Sequence, residues 1–272
     1  TVALREQGMA VTPFKKGPDY IDAAWLSRAA SGPCYNLDTF LMGADEVIRS
    51  FSRHTGERAI AVIEGNRGLF DGVNTAGEFS TAELAKLLRA PVILIVDCDK
   101  VTRTAAAMVL GCLHLDGDVD IRGVILSRVN GPRHASVIRR SIEDYTGLPV
   151  YGTVPRLPEL PFAQRHLGLV PPEEHNQILQ ALEKAGSIAR DYLDIPALLG
   201  VAQSAPPWKV DAFPKPARSN KTKNEQVTIG VIKDTAFQFY YQENIEALTD
   251  RGAKVIQISA LHEKYLPPVD AL

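Results

Sequence analysis

The chain has 272 residues, a formal net charge of -2 and 45% hydrophobic residues, enough to build the core of one large α/β domain or of two domains. The near-neutral charge argues against a general nucleic-acid binder, and no apolar run approaches the roughly 20 residues that cross a bilayer. Cys34, Cys98 and Cys112 are odd in number and lack metal-ligand spacing, which favours a reduced, cytoplasmic setting.

Both ends of the sequence look interrupted. The opening TVALREQGMAV has the pattern of the last turns of a helix followed by a strand, and YLPPVDAL stops as a new apolar run begins. We therefore expect this sequence to be a fragment of a longer protein.

Short β-rich runs alternate with segments of helical spacing along the first part of the chain. The strand candidates are MAVTPF, RAIAVIEG, APVILIVD, IRGVILSRV and LPVYGTVP, and the helix candidates are 80–89, 102–113 and 133–146. The strand runs are continuously apolar, which is typical of strands covered on both faces. This alternation predicts an α/β fold with a doubly wound, mostly parallel sheet.

The composition of the sequence changes near Asp194. Residues 194–226 are rich in Pro, Lys and Ser and lack apolar periodicity, which indicates an interdomain linker. VTIGVI and YYQENIEALTDRGAKVIQI then predict a strand, a helix and a second strand. The predicted layout is a first domain at 1–193, a linker at 194–226 and the start of a second α/β domain at 227–272.

Three charged clusters follow predicted strands. They are Lys15, Lys16, Asp19 and Asp22 after the first strand, Glu64 at the end of RAIAVIEG, and Asp97 and Asp99 at the end of APVILIVD. Ligands of open α/β sheets bind outside the carboxyl ends of the strands. A lysine beside carboxylates at this edge suits a phosphate together with Mg²⁺, which takes one or two carboxylates and otherwise waters and phosphates.

Structural explanations compete with this one. An Asp after a strand often caps the next helix, and KKGPD also fits a solvated turn. Asp38 suits a helix cap, and Ser80 and Thr81 suit either a helix cap or an anion contact at a helix start.

Several motifs are absent. The sequence contains no glycine-rich P-loop ending in G-K-[ST], although a nucleotide enzyme of this layout carries one before its first helix. It also has no G-x-S-x-G, no H-E-x-x-H and no Cys-His spacing for zinc, so nothing supports a hydrolase or a zinc site.

Taken together, PFKKGPDYID, NLDTFLMG, IEGNRGLFDG, STAELAKLLRAPVILIVD, GVILSRVNGPRH and RHLGLVPPEE resemble, in this order, the cobyrinic acid a,c-diamide synthases. Past the linker, AFQFYYQENIEALTDRGAKVIQISAL and LPPVDAL resemble the start of the glutamine amidotransferase domain of the same family. The resemblance implies a P-loop NTPase domain similar to dethiobiotin synthetase, followed by a flavodoxin-like amidotransferase domain.

The resemblance also implies a reaction. Family members use ATP and Mg²⁺ to phosphorylate the a- and c-acetate carboxylates of a corrinoid, and ammonia from L-glutamine then displaces phosphate to give amides in cobalamin biosynthesis. The implied partners are the corrinoid, ATP and L-glutamine, with no nucleic acid and no membrane, and a homodimer is left open.

The family pattern assigns roles residue by residue. Lys15 should contact phosphate or the substrate carboxylate, and Asp19, Asp22 and Glu64 should hold Mg²⁺ and orient the carboxylate. The residues implied near the corrinoid, all in matching motifs, are Tyr20, Asn36, Asp38, Ser80 and Thr81. Lys16 stands where the family has an apolar residue, and Ser127 where it often has Asn.

The pattern places its P-loop before Thr1 and its amidotransferase nucleophile after Leu272, so this chain should not complete the reaction alone. A close alternative is the nickel-sirohydrochlorin a,c-diamide synthase of coenzyme F430 biosynthesis, which shares these motifs. An alternative of another class is a ParA-like ATPase or a degenerate protein that binds nucleotide or tetrapyrrole without turnover.

Overall fold

The structure, a computed structural model, describes residues 1–56, 59–158, 162, 164–165, 168–207 and 226–272. The strands are β1 (Val11–Lys16), β2 (Tyr35–Leu37), β3 (Ile60–Glu64), β4 (Val92–Asp97), β5 (Ile121–Val129), β6 (Val150–Pro155), β7 (Gln164–Arg165), β8 (Gly168–Leu169), β9 (Thr228–Ile232) and β10 (Lys254–Ile258). The helices are α1 (Val2–Glu6), α2 (Ile21–Ala30), α3 (Ala44–His54), α4 (Thr81–Leu88), α5 (Thr104–Leu115), α6 (Gly131–Thr146), a 3₁₀ turn at Pro172–Glu174, α7 (Ile178–Tyr192), α8 (Ile195–Gln203) and α9 (Gln242–Asp250).

The longer strands all pair in parallel, which confirms the predicted α/β class. One sheet has the order β2-β1-β3, a second has the order β4-β5-β6, and β9 pairs with β10. Of the strand pairs formed by the described residues, only the short β7–β8 pair is antiparallel; a single antiparallel bridge also joins Gly152 to Leu193. The single sheet predicted from the sequence is thus two three-stranded sheets here, since no ladder of described residues joins β3 to β4.

Each three-stranded sheet has its own core. Phe14 of β1 and Leu37 of β2 are fully buried and pack with Leu84 and Leu88 of α4. In the second sheet, Val124 and Leu126 pack against α5 and α6. A buried leucine of this kind contributes about 1.5–3 kcal/mol relative to an exposed one.

Helix α4 links the two sheets because it is apolar on more than one side. Leu84 and Leu88 face the first core, whereas Ala82 lies with Val119 and Ile121 beside the second sheet. The prediction that every strand is covered on both faces is wrong for β4, where Ile95 is 73% exposed.

Helix α8 lies inside the range predicted as a linker. Asp194 caps it by accepting a hydrogen bond from the backbone N–H of Ala197 at 3.0 Å, and Pro196 occupies its first turn. An Asp N-cap with Pro in the first turn is a helix-start signal, so the first ten residues of the predicted linker range contain a helix. Residues 208–225 of that linker lie outside the described residues.

Within the described ranges, no helix is both long and apolar enough to cross a membrane. The three cysteines are free; Cys34 and Cys98 are buried and Cys112 is half-buried. Burial raises the pKa of Cys34 to about 12, which disfavours a reactive thiolate there.

Candidate functional site

The register of the first sheet brings Lys15 and Glu64 together. In the parallel β1–β3 ladder the Cα atom of Lys15 lies opposite that of Glu64, one residue before β1 ends. Side chains at matched positions of neighbouring strands point to the same face. The sheet therefore sets the first charge pair of the site.

Lys15 is the centre of a charged cluster. Its side chain is 3% exposed, and its Nζ lies 2.8 Å from Oδ2 of Asp22 and 3.2 Å from Oε1 of Glu64. Nζ also donates a hydrogen bond of 3.2 Å to the carbonyl of Gly65. A buried ammonium needs such partners because its dehydration is costly.

Burial and the charges within the cluster shift the pKa values of Lys15 and Glu64. Burial opposes the charge of Lys15, but hydrogen bonds and charge attraction from Asp22 and Glu64 outweigh it and raise the pKa of Lys15, which stays cationic at neutral pH. Burial raises the pKa of Glu64, and attraction to Lys15 opposes that rise. The Glu64 side chain is still 44% exposed, so this effect is moderated by water.

Residues 17–22, called here the acidic turn, carry the next two carboxylates. Gly17 has φ +87°, a conformation that favours glycine, and its N–H donates to the carbonyl of Leu37 at 3.0 Å. Oδ1 of Asp19 accepts a hydrogen bond of 2.9 Å from the N–H of Asp22. The Asp19 carboxylate therefore bonds to the first turn of α2, and its negative charge is one of the causes that raise the pKa of Glu64.

Asn36 on β2 holds the acidic turn from the other side. Its side-chain amide, 7% exposed, donates to the carbonyls of Gly17 and Asp19 at 2.8 and 2.9 Å. Two hydrogen bonds from one buried amide fix the backbone between those carbonyls. The structure places Asn36 as a support of the turn that carries Asp19.

The loop after β3 is fastened to α4 by Thr81. Its hydroxyl accepts from the N–H of Asn66 at 3.1 Å and lies 3.2 Å from the Asn66 carbonyl, to which it also donates. A Cβ atom at Gly65 would come within 2.9 Å of Thr81. Glycine at this position therefore lets β3 end close against α4.

Ser80, Asp38 and Tyr20 also bond or pack locally. Ser80, 2% exposed, accepts from the backbone N–H of Glu83 at 3.3 Å and is the N-cap of α4. Asp38 accepts from two backbone amides of the turn that follows it, at 2.8 and 3.3 Å. Tyr20 stacks against Tyr241, with ring centroids 4.5 Å apart. Ser80 therefore caps a helix and Tyr20 packs, but the expectation that Asp38 caps a helix is wrong, because Asp38 stabilises a turn and Gly43 is the N-cap of α3. A contact of these residues with a corrinoid remains a prediction.

The third charged cluster forms ion pairs with arginines of the second sheet region. Asp97 is paired with Arg128, and the carboxylate of Asp99 lies 2.5 Å from the guanidinium of Arg156. Hydrogen bonds from Arg128 and a backbone amide lower the pKa of Asp97. Asp97 and Asp99 are thus ion-paired at the ends of the second sheet.

Asp22 and Glu64 have donor chemistry that suits Mg²⁺. Both carboxylates are partly exposed, Asp22 in the first turn of α2 and Glu64 at the end of β3, with 27% and 44% of their side-chain surface accessible. Among the described residues no group of three His, Cys, Asp or Glu forms a complete metal site. A site of one or two carboxylates, completed by waters and phosphate oxygens, is what Mg²⁺ requires.

A cavity of about 280 Å³ opens beside this cluster. Asp22 and Glu64 form its polar side, and apolar groups such as Trp25, Leu26 and Leu182 line the rest. The indole N–H of Trp25 donates to the carbonyl of Val170 at 2.9 Å. The carboxylates of Asp22 and Glu64 therefore lie between the Lys15 ammonium and a largely apolar cavity.

Sequence reasoning missed the contribution of α9. Tyr241 and Glu243 reach the acidic turn and β2 from more than 200 residues away in the chain. The helical pattern of the segment was visible in the sequence, but a contact over that separation leaves no local signal.

Comparisons with known proteins give a consistent result. A family model described as an AAA domain matches residues 34–164. A protein named cobyrinate a,c-diamide synthase from Magnetococcus marinus is 42% identical over 275 residues, covering 100% of this chain and 59% of the relative. Proteins of the same name from Methanothermobacter thermautotrophicus and Dehalococcoides mccartyi are 44% and 40% identical, covering 97% and 98% of this chain and 59% and 58% of the relatives. The chain thus spans under two thirds of the length of these relatives.

Proposed function

Because this chain is homologous along its whole length to curated cobyrinate a,c-diamide synthases, we propose that the protein carrying it amidates the a- and c-acetate carboxylates of cobyrinic or hydrogenobyrinic acid. The proposed reaction uses ATP to activate each carboxylate and ammonia from L-glutamine to form the amide. The observation that carries the proposal is the buried Lys15 between Asp22 and Glu64 at the ends of parallel strands.

The chemistry explains why a lysine is needed there. A carboxylate is a poor acyl donor, so its oxygen first attacks the γ-phosphorus of ATP, giving an acyl phosphate and releasing ADP. Ammonia then attacks the acyl carbon, phosphate leaves, and a proton is lost from nitrogen. In this proposal Lys15, which stays cationic, offsets negative charge on the carboxylate and the transferring phosphoryl group.

Asp22 and Glu64 are the proposed Mg²⁺ ligands. Asp19 supports Asp22 by accepting a hydrogen bond from its backbone N–H. When bound, Mg²⁺ would supply positive charge at the phosphate oxygens. The carboxylates themselves hold the Lys15 ammonium in place. Five further residues are proposed to shape the corrinoid side of the site through the loops that they hold: Tyr20, Asn36, Asp38, Ser80 and Thr81.

The names of the relatives favour a corrinoid over nickel-sirohydrochlorin as the tetrapyrrole. We place the protein in the cytoplasm, where its three free cysteines would remain reduced. A homodimer is compatible with this function and is left to solution measurement.

Incubation of the full-length protein with cobyrinic acid, ATP, Mg²⁺ and glutamine tests the proposal. Mass spectrometry should show two successive exchanges of hydroxyl for amine, with ADP formed in step. Parallel incubation with nickel-sirohydrochlorin is the matched comparison. Amidation of that tetrapyrrole alone, or nucleotide and corrinoid binding without amidation, would overturn it.

A further inference from the structure

Helix α9 and the residues before it contact the acidic turn directly. The hydroxyl of Tyr241 donates a 3.3 Å hydrogen bond to the carbonyl of Pro18, 223 residues away in sequence. The Tyr241 ring stacks on Tyr20, and Phe239 stacks on Tyr20 with ring centroids 5.3 Å apart. Stacked aromatic pairs contribute beyond their buried area, so these contacts restrain both the backbone and a side chain of the turn.

A second contact reaches the turn through Asn36. Oε1 of Glu243 accepts a hydrogen bond of 3.1 Å from the backbone N–H of Asn36. The side chain of Asn36 in turn holds the carbonyls of Gly17 and Asp19. Glu243 therefore contacts the acidic turn indirectly, through Asn36, whose side chain bonds to the backbone of Gly17 and Asp19.

A third contact fixes α9 against β2 and α3. Oε1 of Glu246 accepts from the hydroxyl of Tyr35 at 3.0 Å, and Oε2 lies 2.9 Å from Nε2 of His54. Burial lowers the pKa of His54, so at neutral pH the ring is uncharged and donates from Nε2 to the carboxylate. Asp250 adds an ion pair of 2.5 Å with Arg53.

The spacing of these groups shows that one face of α9 makes the contact. Glu243, Glu246 and Asp250 are three and four residues apart, which places them on one side of a helix. Asn244 and Thr249 lie on the exposed side. Helix α9 thus presents an acidic stripe to the first sheet and an exposed face elsewhere.

We infer that Tyr241 and Glu243 are positioning residues that hold the acidic turn, and with it Asp19 and Asp22, in the geometry needed to activate the carboxylate. This inference rests on the proposed function. It adds that the unit beginning at β9, predicted to open the ammonia-supplying domain, helps to build the site that makes the acyl phosphate. Carboxylate activation then depends on the docking of that unit.

Hydrogen–deuterium exchange tests the structural half of the inference without any enzymatic activity. Tyr241→Ala and Glu243→Ala in the full-length protein should increase deuterium uptake in peptides covering residues 15–24. Asn244→Ala, on the exposed face of the same helix, is the control and should leave that uptake unchanged. Unchanged protection of the turn in both alanine variants would overturn the inference, whatever reaction the protein catalyses.

The kinetic half uses ammonium as the nitrogen donor. If α9 only brought the glutaminase close, saturating ammonium would restore amidation in the variants. Because a displacement of about 1 Å can cost about 100-fold in rate, we expect the ammonium-dependent kcat of Tyr241→Ala and Glu243→Ala to fall about 10- to 100-fold. Wild-type rates with ammonium, together with slow glutamine-dependent amidation, would contradict a positioning role.

Two conservative variants cover the case in which the alanine variants fail to fold. Glu243→Gln keeps an acceptor oxygen for Asn36 and should retain near-wild-type ammonium-dependent kcat. Tyr241→Phe keeps the stack but loses the hydrogen bond to Pro18, so it should lose about fivefold, as expected for a hydrogen bond of about 1 kcal/mol. A Tyr241→Phe variant with full activity and full protection of the turn would overturn the inference. Absence of amidation in the wild type would instead count against the proposed function. The hydrogen–deuterium exchange result would still decide whether Tyr241 and Glu243 hold the acidic turn.

Discussion

Replacing Lys15 by methionine removes the cation between Asp22 and Glu64 and keeps most of the side-chain volume. The two N–O distances of 2.8 and 3.2 Å correspond to roughly 6 and roughly 5 kcal/mol of gross attraction at an effective dielectric of about 20. The cost of dehydrating Lys15 offsets much of this attraction in the native protein. Loss of one member of a buried pair typically costs about 3–5 kcal/mol, and both carboxylates can still reach water, so we expect about 2–3 kcal/mol.

The loss of stability caused by Lys15→Met should depend on pH. Burial raises the pKa of Glu64 in the native protein, and without the opposing Lys15 it rises further above its unfolded value. The folded variant then binds more protons than the unfolded chain at pH values just above that unfolded value. By linkage, the stability of the variant increases as the pH falls toward 5. The difference from the wild type should therefore be larger at pH 7.5 than at pH 5.

Thermal unfolding at the two pH values is the assay. At pH 7.5 the midpoint of Lys15→Met should fall by roughly 5–10 °C, and by less at pH 5. Lys86→Met is the matched control, because Lys86 is 31% exposed where Lys15 is 3% exposed, and its pair with Asp116 is reached by water and contributes less. A Lys15→Met variant that is as stable as wild type at pH 7.5, or equally destabilised at both pH values, would refute the reasoning.

Three further changes test other parts of the structure. Ser80→Ala should cost about 1 kcal/mol of stability in thermal unfolding, since it removes the N-cap of α4, and an unchanged midpoint would contradict that role. Gly72→Ala should destabilise by about 1–3 kcal/mol, because the new Cβ would lie 2.3 Å from the carbonyl oxygen of Glu78, and an unchanged midpoint would contradict that packing. Burial lowers the pKa of His54 below its ordinary 6.5, so its contribution to stability is complete above pH 6.5 and lost as the pH falls below it; His54→Gln should flatten the stability profile between pH 5 and 6.5, and an identical profile would exclude this source.

The pattern of the sequence predicted the parts of the site that depend on sheet geometry. Continuous apolar runs ending in charge indicated parallel strands with ligand groups at one edge, and the β1–β3 register does bring Lys15 beside Glu64. The predicted helices at 80–89, 102–113 and 133–146 are confirmed as α4, α5 and α6, with ends shifted by one or two residues. These features follow from local periodicity, which a single sequence displays.

Other features required long-range information. β2 is three residues long, too short for any period to show. The stack of Tyr20 on Tyr241 and the bond from His54 to Glu246 join segments about 200 residues apart, so neither partner signals the other. Residue type suggested a helix cap for both Ser80 and Asp38. Ser80 is the N-cap of α4, whereas Asp38 bonds to the backbone of the turn at 38–41 and the N-cap of α3 is Gly43.

The measurement that tests the central claim most directly is ATP-dependent amidation of cobyrinic acid by the full-length Asp22→Asn and Glu64→Gln variants, with ammonium as the nitrogen donor. If Lys15, Asp22 and Glu64 form the carboxylate-activating site, both variants should lose amidation and ADP formation while still hydrolysing glutamine. Amidation at the wild-type rate, or loss of glutamine hydrolysis alone, would contradict the account.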